Sequence, residues 1–333
     1  MTMKTFAFTL ISAAALAFTA CHTGEVKVSS TGKPYELFVV APAELWQGPA
    51  GDTARAIFSD EVEMINQPEP RFTVYSVPPA SYKATVRKHR NILILRTGAN
   101  YTKSDMTASY DENSAPQLEV TVTAPSADSM AAFLHTYRSE LVKLYEIAER
   151  DRFVARAQKY RDTKIGDLIR EKFGFEMSIP KGYTVRIDTT DFLWISYELP
   201  LASVGFTIYT YPADSSAARN AAAGNIIAAR NGAVMQVPGP SDGSYMTTSS
   251  AGLPDQKTLT VNGREWNQVR GFWDVSGDFM GGPFINYTTY DRALNRMLAI
   301  DGYVYSPSPN NNVPMRDYIR QVEAIFMTVR IPK

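Results

Sequence analysis

The stretch TLTVNGREWNQVRGFW, from Thr258 to Trp273, decides the fold of the C-terminal half of the chain. Two runs of alternating apolar and polar residues flank Asn262 and Gly263, and this dipeptide accepts the left-handed conformations of a tight hairpin turn. The same alternation recurs in VGFTIYTYP (Val204–Pro212), FINYTTY (Phe284–Tyr290) and RMLAIDGYVYSP (Arg296–Pro307). The pattern predicts a mainly antiparallel sheet.

Helical patterns surround these strands. One short helix should stop at Gly174, and a second should run from a cap near Asp214 to Asn231 and Gly232. A third, closing helix should begin at about Pro314. We therefore expect an antiparallel sheet flanked by helices over residues 161–333, and its element order weakly resembles the Mog1/PsbP-like α/β/α sandwich.

The N-terminal half mixes strands and helices differently. Residues 91–96, NILILR, form a nearly unbroken apolar run, so we place them at the centre of a sheet covered on both faces. Residues 97–116 are polar and predict a loop, and an apolar stripe from Ser126 to Tyr160 predicts one long helix. Residues 34–160 should thus form an α+β domain that ends in a long helix.

The first 33 residues carry a different signal. A short basic start, an apolar stretch and small residues make residues 1–20 a signal peptide. The FTA-Cys sequence ending at Cys21 resembles the lipobox of bacterial lipoproteins, which implies cleavage before Cys21 and lipidation of that residue. Residues 21–33 are polar and predict a tether. An ordinary signal peptide that leaves a free thiol remains the alternative.

Localisation follows from that anchor. Cys21 is the only cysteine of the chain, so it cannot form an internal disulfide. We expect attachment to a membrane through the N-terminal lipid, in the outer membrane and facing the periplasm. The chain has 34 basic and 34 acidic residues, and this balance creates no large positive electrostatic field. We therefore expect no nucleic-acid partner.

The glycine-rich stretch WDVSGDFMGGPFINYTTY begins at Trp273 and suggests a ligand loop. Its glycine spacing does not fit a dinucleotide fingerprint, and a strand follows it where a phosphate-binding loop needs a helix. Two interpretations remain, a turn between strands or a docking surface. The candidate binding residues are Trp273, Asp274, Asp278, Phe279 and Met280.

The sequence contains no complete motif for catalysis or metal binding, because the residues around each partial match do not fit. GPSDG, residues 239–243, has the spacing of a serine nucleophile elbow, but a proline precedes Ser241 and no histidine follows it in the chain. His22, His89 and His135 have no metal-ligand spacing, so we predict no metal and no cofactor. The tryptophans should mostly pack in the core, although they could instead line a groove for sugar or peptide.

Several segments together resemble a known family. These segments are GKPYELFVVAPAELWQGPAGDTARAIF, INQPEPRFTV, HRNILIL, WDVSGDFMGGPFINYT and DGYVYSP. They resemble a family of envelope lipoproteins of Gram-negative bacteria, the domain of unknown function 4837, from about Gly32 to Lys333. The resemblance implies an envelope location and an intact fold, and it carries over no catalytic residue.

The resemblance also suggests a modification. Bacteria of this kind often O-glycosylate exported proteins at Asp followed by Ser or Thr and a small or apolar residue. Thr53, Ser129 and Thr189 stand in such sequences. Thr53 and Ser129 also lie where helices should start, so a structural role is the alternative.

The sequence therefore favours a lipid-anchored envelope protein of unknown activity, a non-enzymatic binding or assembly factor for a partner protein or an envelope glycan. The alternative is a carboxylate-dependent hydrolase acting on envelope polysaccharide or peptide. That alternative expects Asp274 and Asp278 to converge in an aromatic cleft, one of them with a raised pKa. A purely structural role in envelope assembly is a third possibility.

Overall fold

The structure is a computed structural model that describes residues 27–307 and 314–332. Within these ranges it contains two β-sheets and eight α-helices. The predicted α+β class is confirmed, and so is an antiparallel second sheet flanked by helices. None of the described helices has the length and apolar character needed to cross a membrane.

The first sheet has five strands in the order β2-β1-β3-β5-β4. Its strands are β1 (Glu36–Val40), β2 (Thr73–Val77), β3 (Asn91–Thr97), β4 (Asp105–Tyr110) and β5 (Leu118–Ala124). All neighbouring pairs are parallel except β4 with β5. Strand β3 is the central strand, and its residues 92–95 are buried on both faces, as predicted from the unbroken apolar run.

Strand β4 corrects the prediction of a loop over residues 97–116. Residues 105–110, DMTASY, pair antiparallel with β5 at the edge of the sheet. An edge strand has only one paired side, so a polar sequence is tolerated there. This polarity is why the hydrophobic pattern did not reveal it.

The N-terminal helices are α1 (Ala43–Trp46), α2 (Pro49–Phe58), α3 (Ala127–Thr136) and α4 (Arg138–Lys159). The prediction of a single long helix from Ser126 to Tyr160 is therefore wrong. The helix is interrupted at Tyr137, which has φ −100° and ψ 21°. The Thr136 hydroxyl donates to the Ala132 carbonyl at 2.8 Å, a contact that commonly bends helices. The apolar stripe continues across the break, so periodicity could not locate it.

The second sheet has eight strands, seven of them in the order β10-β11-β12-β13-β8-β7-β6, with β9 paired to the far half of β11. Its strands are β6 (Thr184–Thr189), β7 (Phe192–Leu199), β8 (Ala202–Pro212), β9 (Tyr245–Thr248), β10 (Asp255–Val261), β11 (Arg264–Ser276), β12 (Gly281–Asp291) and β13 (Arg296–Tyr305). Every neighbouring pair is antiparallel. The predicted hairpin joins β10 to β11, with Asn262 at φ 48° and Gly263 at φ 79°.

Helices lie on both faces of this sheet. They are α5 (Thr163–Phe173), α6 (Ala217–Ala221), α7 (Ala223–Val234) and α8 (Met315–Phe326). Helices α5 and α8 pack with Leu298 and Ile300 of β13 on one face, and α7 packs with Ala299 on the other. Gly174 ends α5 in the left-handed conformation, as predicted.

The helix expected from Asp214 to Gly232 differs in the structure. Two helices, α6 and α7, replace it, and Ser216 caps the first by accepting from the Arg219 N–H. Gly232 lies inside α7, which ends at Val234, so the expected glycine stop is wrong. The Asn231 side chain instead accepts from the Thr248 N–H at 2.9 Å and thereby joins α7 to β9.

An ion pair is buried under α7. The Arg230 guanidinium donates to both carboxylate oxygens of Asp301, at 2.8 and 3.1 Å, and both side chains are fully buried. Asn286 also donates to Asp301, and Arg230 lies 3.8 Å above the Phe284 ring. Burial raises the pKa of Asp301, and the contact with Arg230 opposes that shift.

The two halves of the chain contact each other through α8. Both carboxylate oxygens of Glu69 accept backbone N–H groups of its first turn, from Met315 at 2.8 Å and from Arg316 at 2.9 Å. Arg320 of α8 pairs with Glu146 of α4 at 3.0 Å. A carboxylate from the N-terminal half thus caps a helix of the C-terminal half.

The end of the predicted tether is bound to the N-terminal domain. Ser30 donates its N–H to the Ala115 carbonyl at 3.2 Å, and Thr31 donates to the Lys88 carbonyl at 2.9 Å. A Cβ at Gly32 would overlap the imidazole of His89, which is buried. From Val28 onward, the segment 21–33 is therefore docked on the segments that precede β3 and β5, through Lys88 and Ala115.

Candidate functional site

The glycine-rich stretch forms the turn between β11 and β12. Gly277 has φ 89°, a conformation that favours glycine, and the Val275 N–H donates to the Met280 carbonyl at 2.8 Å. Asp278 closes the turn, because its carboxylate accepts the N–H of Phe279 at 2.7 Å and the hydroxyl of Ser241. The turn interpretation of this stretch is thus correct at the level of the backbone.

These contacts fix the charge of Asp278. The Ser241 hydroxyl and the Phe279 N–H hold the pKa of this carboxyl below its usual value. Asp278 is therefore ionised at neutral pH. A general acid needs the opposite shift, so this side chain does not meet the expectation of the hydrolase alternative.

Trp273 is a core residue and not an exposed contact. Its side chain is 1% exposed, and its indole N–H donates to the Val304 carbonyl at 3.1 Å. The ring packs against Tyr303 and Tyr305, with centroids 5.5 and 6.1 Å away. Gly282 faces it across the hairpin, where a Cβ would overlap the Val304 carbonyl oxygen. The prediction that Trp273 is an exposed binding residue is therefore wrong.

The other candidate residues surround the turn. Phe279 is fully exposed, at 105% of the reference area, although it is a large apolar side chain. Met280 is half-buried against the cluster that contains Trp273. Asp274 is exposed and pairs in register with Gly281, where the absence of a Cβ leaves its carboxylate uncovered.

A groove of about 780 Å³ opens beside this turn, and we call it the hairpin groove. Its lining residues are Asn66, Gln67, Ser249, Ala251, Phe272, Trp273, Asp274, Val275, Asp278, Phe279, Met280, Gly281, Gly282, Tyr305, Ser306, Pro307 and Met315. Asn66 and Gln67 belong to the N-terminal half, and Met315 begins α8. The groove therefore lies where the two halves of the chain meet.

The charge of the hairpin groove has one sign. Asp274 and Asp278 are the only Asp, Glu, Lys, Arg or His side chains among the described lining residues, and both are acidic. Phe272, Phe279, Met280 and Tyr305 provide apolar surface beside them. A groove of this kind favours a ligand with apolar groups and positive charge.

The comparisons with known proteins place the chain in a family. Residues 162–328 match the domain of unknown function (DUF4837). The chain belongs to the DUF4837 family. Residues 30–158 match a second domain of unknown function (DUF8532), so the DUF4837 match is narrower than the expected range from Gly32 to Lys333. No curated protein matches the chain.

The hairpin groove is mainly a feature of the DUF4837 part. Its turn, its tryptophan and Tyr305 fall within residues 162–328, and Asn66 and Gln67 come from the DUF8532 part. Sequence reasoning found the turn but missed these two residues. Their polar side chains carry no pattern that distinguishes them from other loop residues.

Sequence reasoning also missed the contact between Ser241 and Asp278. Ser241 is the serine of the GPSDG motif, so the motif does meet a carboxylate. Catalysis would need a base to activate the serine, and the described histidines, His89 and His135, both lie in the DUF8532 part. The serine here stabilises the turn through Asp278.

The predicted glycosylation residues lie far apart in the chain. Thr53 is half-buried in α2 and donates to the Pro49 carbonyl at 2.8 Å, and Ser129 is half-buried in the first turn of α3. Thr189 is exposed at the end of β6. Thr189 is thus the most accessible of the three, and its glycosylation stays a prediction.

The remaining predictions concern the anchor and metals. Cys21 and His22 lie outside the described residues, so their roles stay predictions. Across residues 27–307 and 314–332, no group of three His, Cys, Asp or Glu side chains could hold a metal ion. His89 stacks on Phe38 at 3.7 Å, and burial lowers its pKa.

Proposed function

We propose that this DUF4837 protein is a lipid-anchored, non-enzymatic component of the cell envelope that binds a partner protein in the hairpin groove. The observation that carries this proposal is the full exposure of Phe279 at a turn whose backbone is fixed. Exposed apolar side chains beside a groove are typical of protein-binding surfaces. The two carboxylates of the groove would select a partner segment that contains Lys or Arg.

A protein partner fits these residues better than a glycan. Sugar-binding grooves present flat aromatic faces, and the tryptophan nearest to the groove, Trp273, is buried under Tyr303 and Tyr305. Trp266 is also buried, against Phe326 at 5.0 Å. The apolar groups that remain accessible are Phe279, which is fully exposed, and parts of Phe272, Met280 and Tyr305, and these suit side-chain contacts with a protein.

A binding role also agrees with the chemistry of the groove. Asp278 stays ionised, and its carboxylate already accepts hydrogen bonds from Ser241 and Phe279. Ser241 has no histidine beside it among the described residues. The backbone of Asp274 pairs with Gly281 and Thr247, and its carboxylate makes no hydrogen bond or ion pair with another described residue. These groups offer charge for recognition without the acid-base pair that hydrolysis needs.

The anchor is the second part of the proposal. The signal-peptide layout and the single cysteine at the end of it support lipidation of Cys21. Several acyl chains would hold the protein stably, whereas one chain binds only marginally. Radioactive palmitate should label the parent and not Cys21→Ala, and a labelled Cys21→Ala protein would contradict the anchor.

Photo-crosslinking from position 279 tests the groove. A photoreactive phenylalanine derivative replaces Phe279 in living cells, and the same derivative replaces Leu294 as a control. Leu294 is also an exposed apolar residue on a turn, but its turn joins β12 to β13 at the opposite end of the sheet.

The expected result is a protein adduct from position 279 and none from position 294. The same adducts from both positions, or none from either, would contradict a partner protein in the groove. If position 279 gives no protein adduct while retention on purified peptidoglycan depends on Phe279, the partner is a glycan.

A further inference from the structure

We propose that the surface formed by Lys27, Lys33 and Arg87, with Val28 and Tyr110 beside them, faces the membrane and binds anionic phospholipid headgroups. We call it the basal surface. The inference rests on the proposed lipid anchor for its orientation. It concerns a surface separate from the hairpin groove and a different ligand.

Hydrogen bonds bring these residues together from three segments of the chain. Thr31 donates to the Lys88 carbonyl at 2.9 Å, which places the segment of Lys27 and Lys33 along the segment of Arg87. The Lys27 ammonium donates to the Asp111 carbonyl, next to Tyr110 at the end of β4. The three segments of the basal surface are therefore neighbours in the fold.

The cations of the basal surface, and Lys83 and Lys88 beside them, have no acidic partner among the described residues. Lys27, Lys33, Lys83 and Arg87 are exposed, Lys88 is half-buried, and none of them forms a salt bridge with a described residue. The Lys27 ammonium contacts the Asp111 carbonyl, and the Arg87 guanidinium lies 5.6 Å from the centre of the Tyr82 ring. Neither contact neutralises the cation, so its charge still attracts anionic headgroups.

Most of the neighbouring carboxylates contact other groups of the protein. Glu36 accepts the Lys33 N–H at 2.7 Å and faces His89 at 3.6 Å. Asp111 accepts the Gln117 N–H at 2.7 Å, and Glu119 accepts the Tyr82 hydroxyl. Glu36, Asp111 and Glu119 are half-buried, and Glu112 is exposed. The five cations therefore outnumber these four carboxylates.

Two exposed apolar side chains complete the basal surface. Val28 is 51% exposed and Tyr110 is 61% exposed. Tyrosine is common at membrane interfaces, where its ring meets the acyl boundary and its hydroxyl meets water. Cations mixed with such side chains are typical of surfaces that rest on a bilayer.

The length of the tether sets the distance to the membrane. Five residues lie between Cys21 and Lys27, which makes six steps along the chain. A fully extended chain spans at most about 3.6 Å per step, so the gap is at most about 22 Å. A small folded domain is about 30 Å across. The gap is too narrow for such a partner, which favours lipid headgroups as the ligand of the basal surface.

Vesicle co-sedimentation tests the basal surface without the anchor. The mature chain, residues 21–333, carries Cys21→Ser and keeps every residue that the structure describes. Vesicles of phosphatidylethanolamine with phosphatidylglycerol are compared with vesicles of phosphatidylcholine. The test variant is Lys27→Gln, Lys33→Gln, Arg87→Gln, and the control is Lys164→Gln, Lys181→Gln, Arg292→Gln, which removes three exposed cations elsewhere.

We expect binding to the anionic vesicles only, weakened by about 100-fold in the test variant at low salt and unchanged in the control. Equal binding to both vesicle types, no binding, or equal binding of the test and control variants would overturn the proposal. Palmitate labelling of the parent protein is independent of this result. A missing anchor and an inert basal surface are therefore distinguishable.

Discussion

At the residue scale, the exposure of Phe279 follows from its neighbours. Gly277 allows the turn, Asp278 holds the Phe279 N–H, and Met280 turns back into the cluster around Trp273. The chain therefore fixes the backbone on both sides of Phe279 while its side chain remains in solvent. A side chain displayed on a rigid turn loses little entropy on binding beyond its own rotamers, which favours its use as an anchor.

Gly282→Ala tests how the floor of the groove is built. The new methyl group would overlap the Val304 carbonyl oxygen, which accepts the Trp273 indole N–H. We expect the hydrogen bond to break, the tryptophan fluorescence to shift to the red, and the free energy of unfolding to fall by about 1–3 kcal/mol. Gly224→Ala is the control because it has open space, and fluorescence alike in both variants would contradict this packing.

Asp301→Asn tests the buried ion pair under α7. The change leaves the Arg230 charge buried without its carboxylate, so we expect the free energy of unfolding to fall by about 3–5 kcal/mol in denaturant titrations. Asp301→Leu combined with Arg230→Met removes both charges and should recover most of that loss. A double variant less stable than Asp301→Asn would show that the pair itself is strongly stabilising.

At the element scale, the sequence predicts those features that local chemistry determines. Asn262 and Gly263 specify their hairpin, Gly174 ends α5, and residues 91–96 form a central strand because each signal lies within a few residues. The break at Tyr137 and the edge strand β4 depend on packing elsewhere in the fold. The same limit applies to the site, where the turn is local but Asn66 and Ser241 reach it through tertiary contacts.

Glu69→Ala tests the cap of α8. The carboxylate accepts two N–H groups at the helix start, and Pro314 offers no side-chain cap of its own. Two lost charge-assisted hydrogen bonds should lower the free energy of unfolding by about 1–3 kcal/mol and increase hydrogen exchange at Met315 and Arg316. Glu171→Ala, at an exposed site on α5, should change neither. Unchanged exchange in Glu69→Ala would contradict the cap.

At the scale of the whole molecule, α8 joins the two matched parts of the chain. Its Ala324 packs in the N-terminal core, while Val322 and Phe326 pack under the second sheet. Ion pairs extend this contact, from Arg71 through Glu146 and Arg320 to Glu323 and Arg270. The hairpin groove lies beside the start of the same helix, so its shape depends on this junction.

Asp317 should make the junction sensitive to pH. Burial raises the pKa of this carboxyl to about 6, above its ordinary value of 3.8, although Arg316 opposes the shift. The folded state therefore binds the proton more tightly, and the stabilisation present below pH 3.8 is lost as the pH rises through about 6. We expect a change on the order of 2 kcal/mol in the free energy of unfolding across this window.

Denaturant titrations at a series of pH values measure this effect, with Asp317→Asn as the matched variant. The variant lacks the titrating group and should show a flatter dependence on pH through the same window. An identical slope in the parent and in Asp317→Asn would assign the pH dependence to other groups.

The dissociation constant of the partner captured at position 279 tests the central claim most directly. We expect Phe279→Ala to weaken binding by about 10- to 30-fold, the usual effect of truncating an aromatic anchor, and raised salt to weaken it further because Asp274 and Asp278 contribute charge. Leu294→Ala should bind as the parent does. Equal dissociation constants for the parent and Phe279→Ala would contradict a partner-binding role of the hairpin groove.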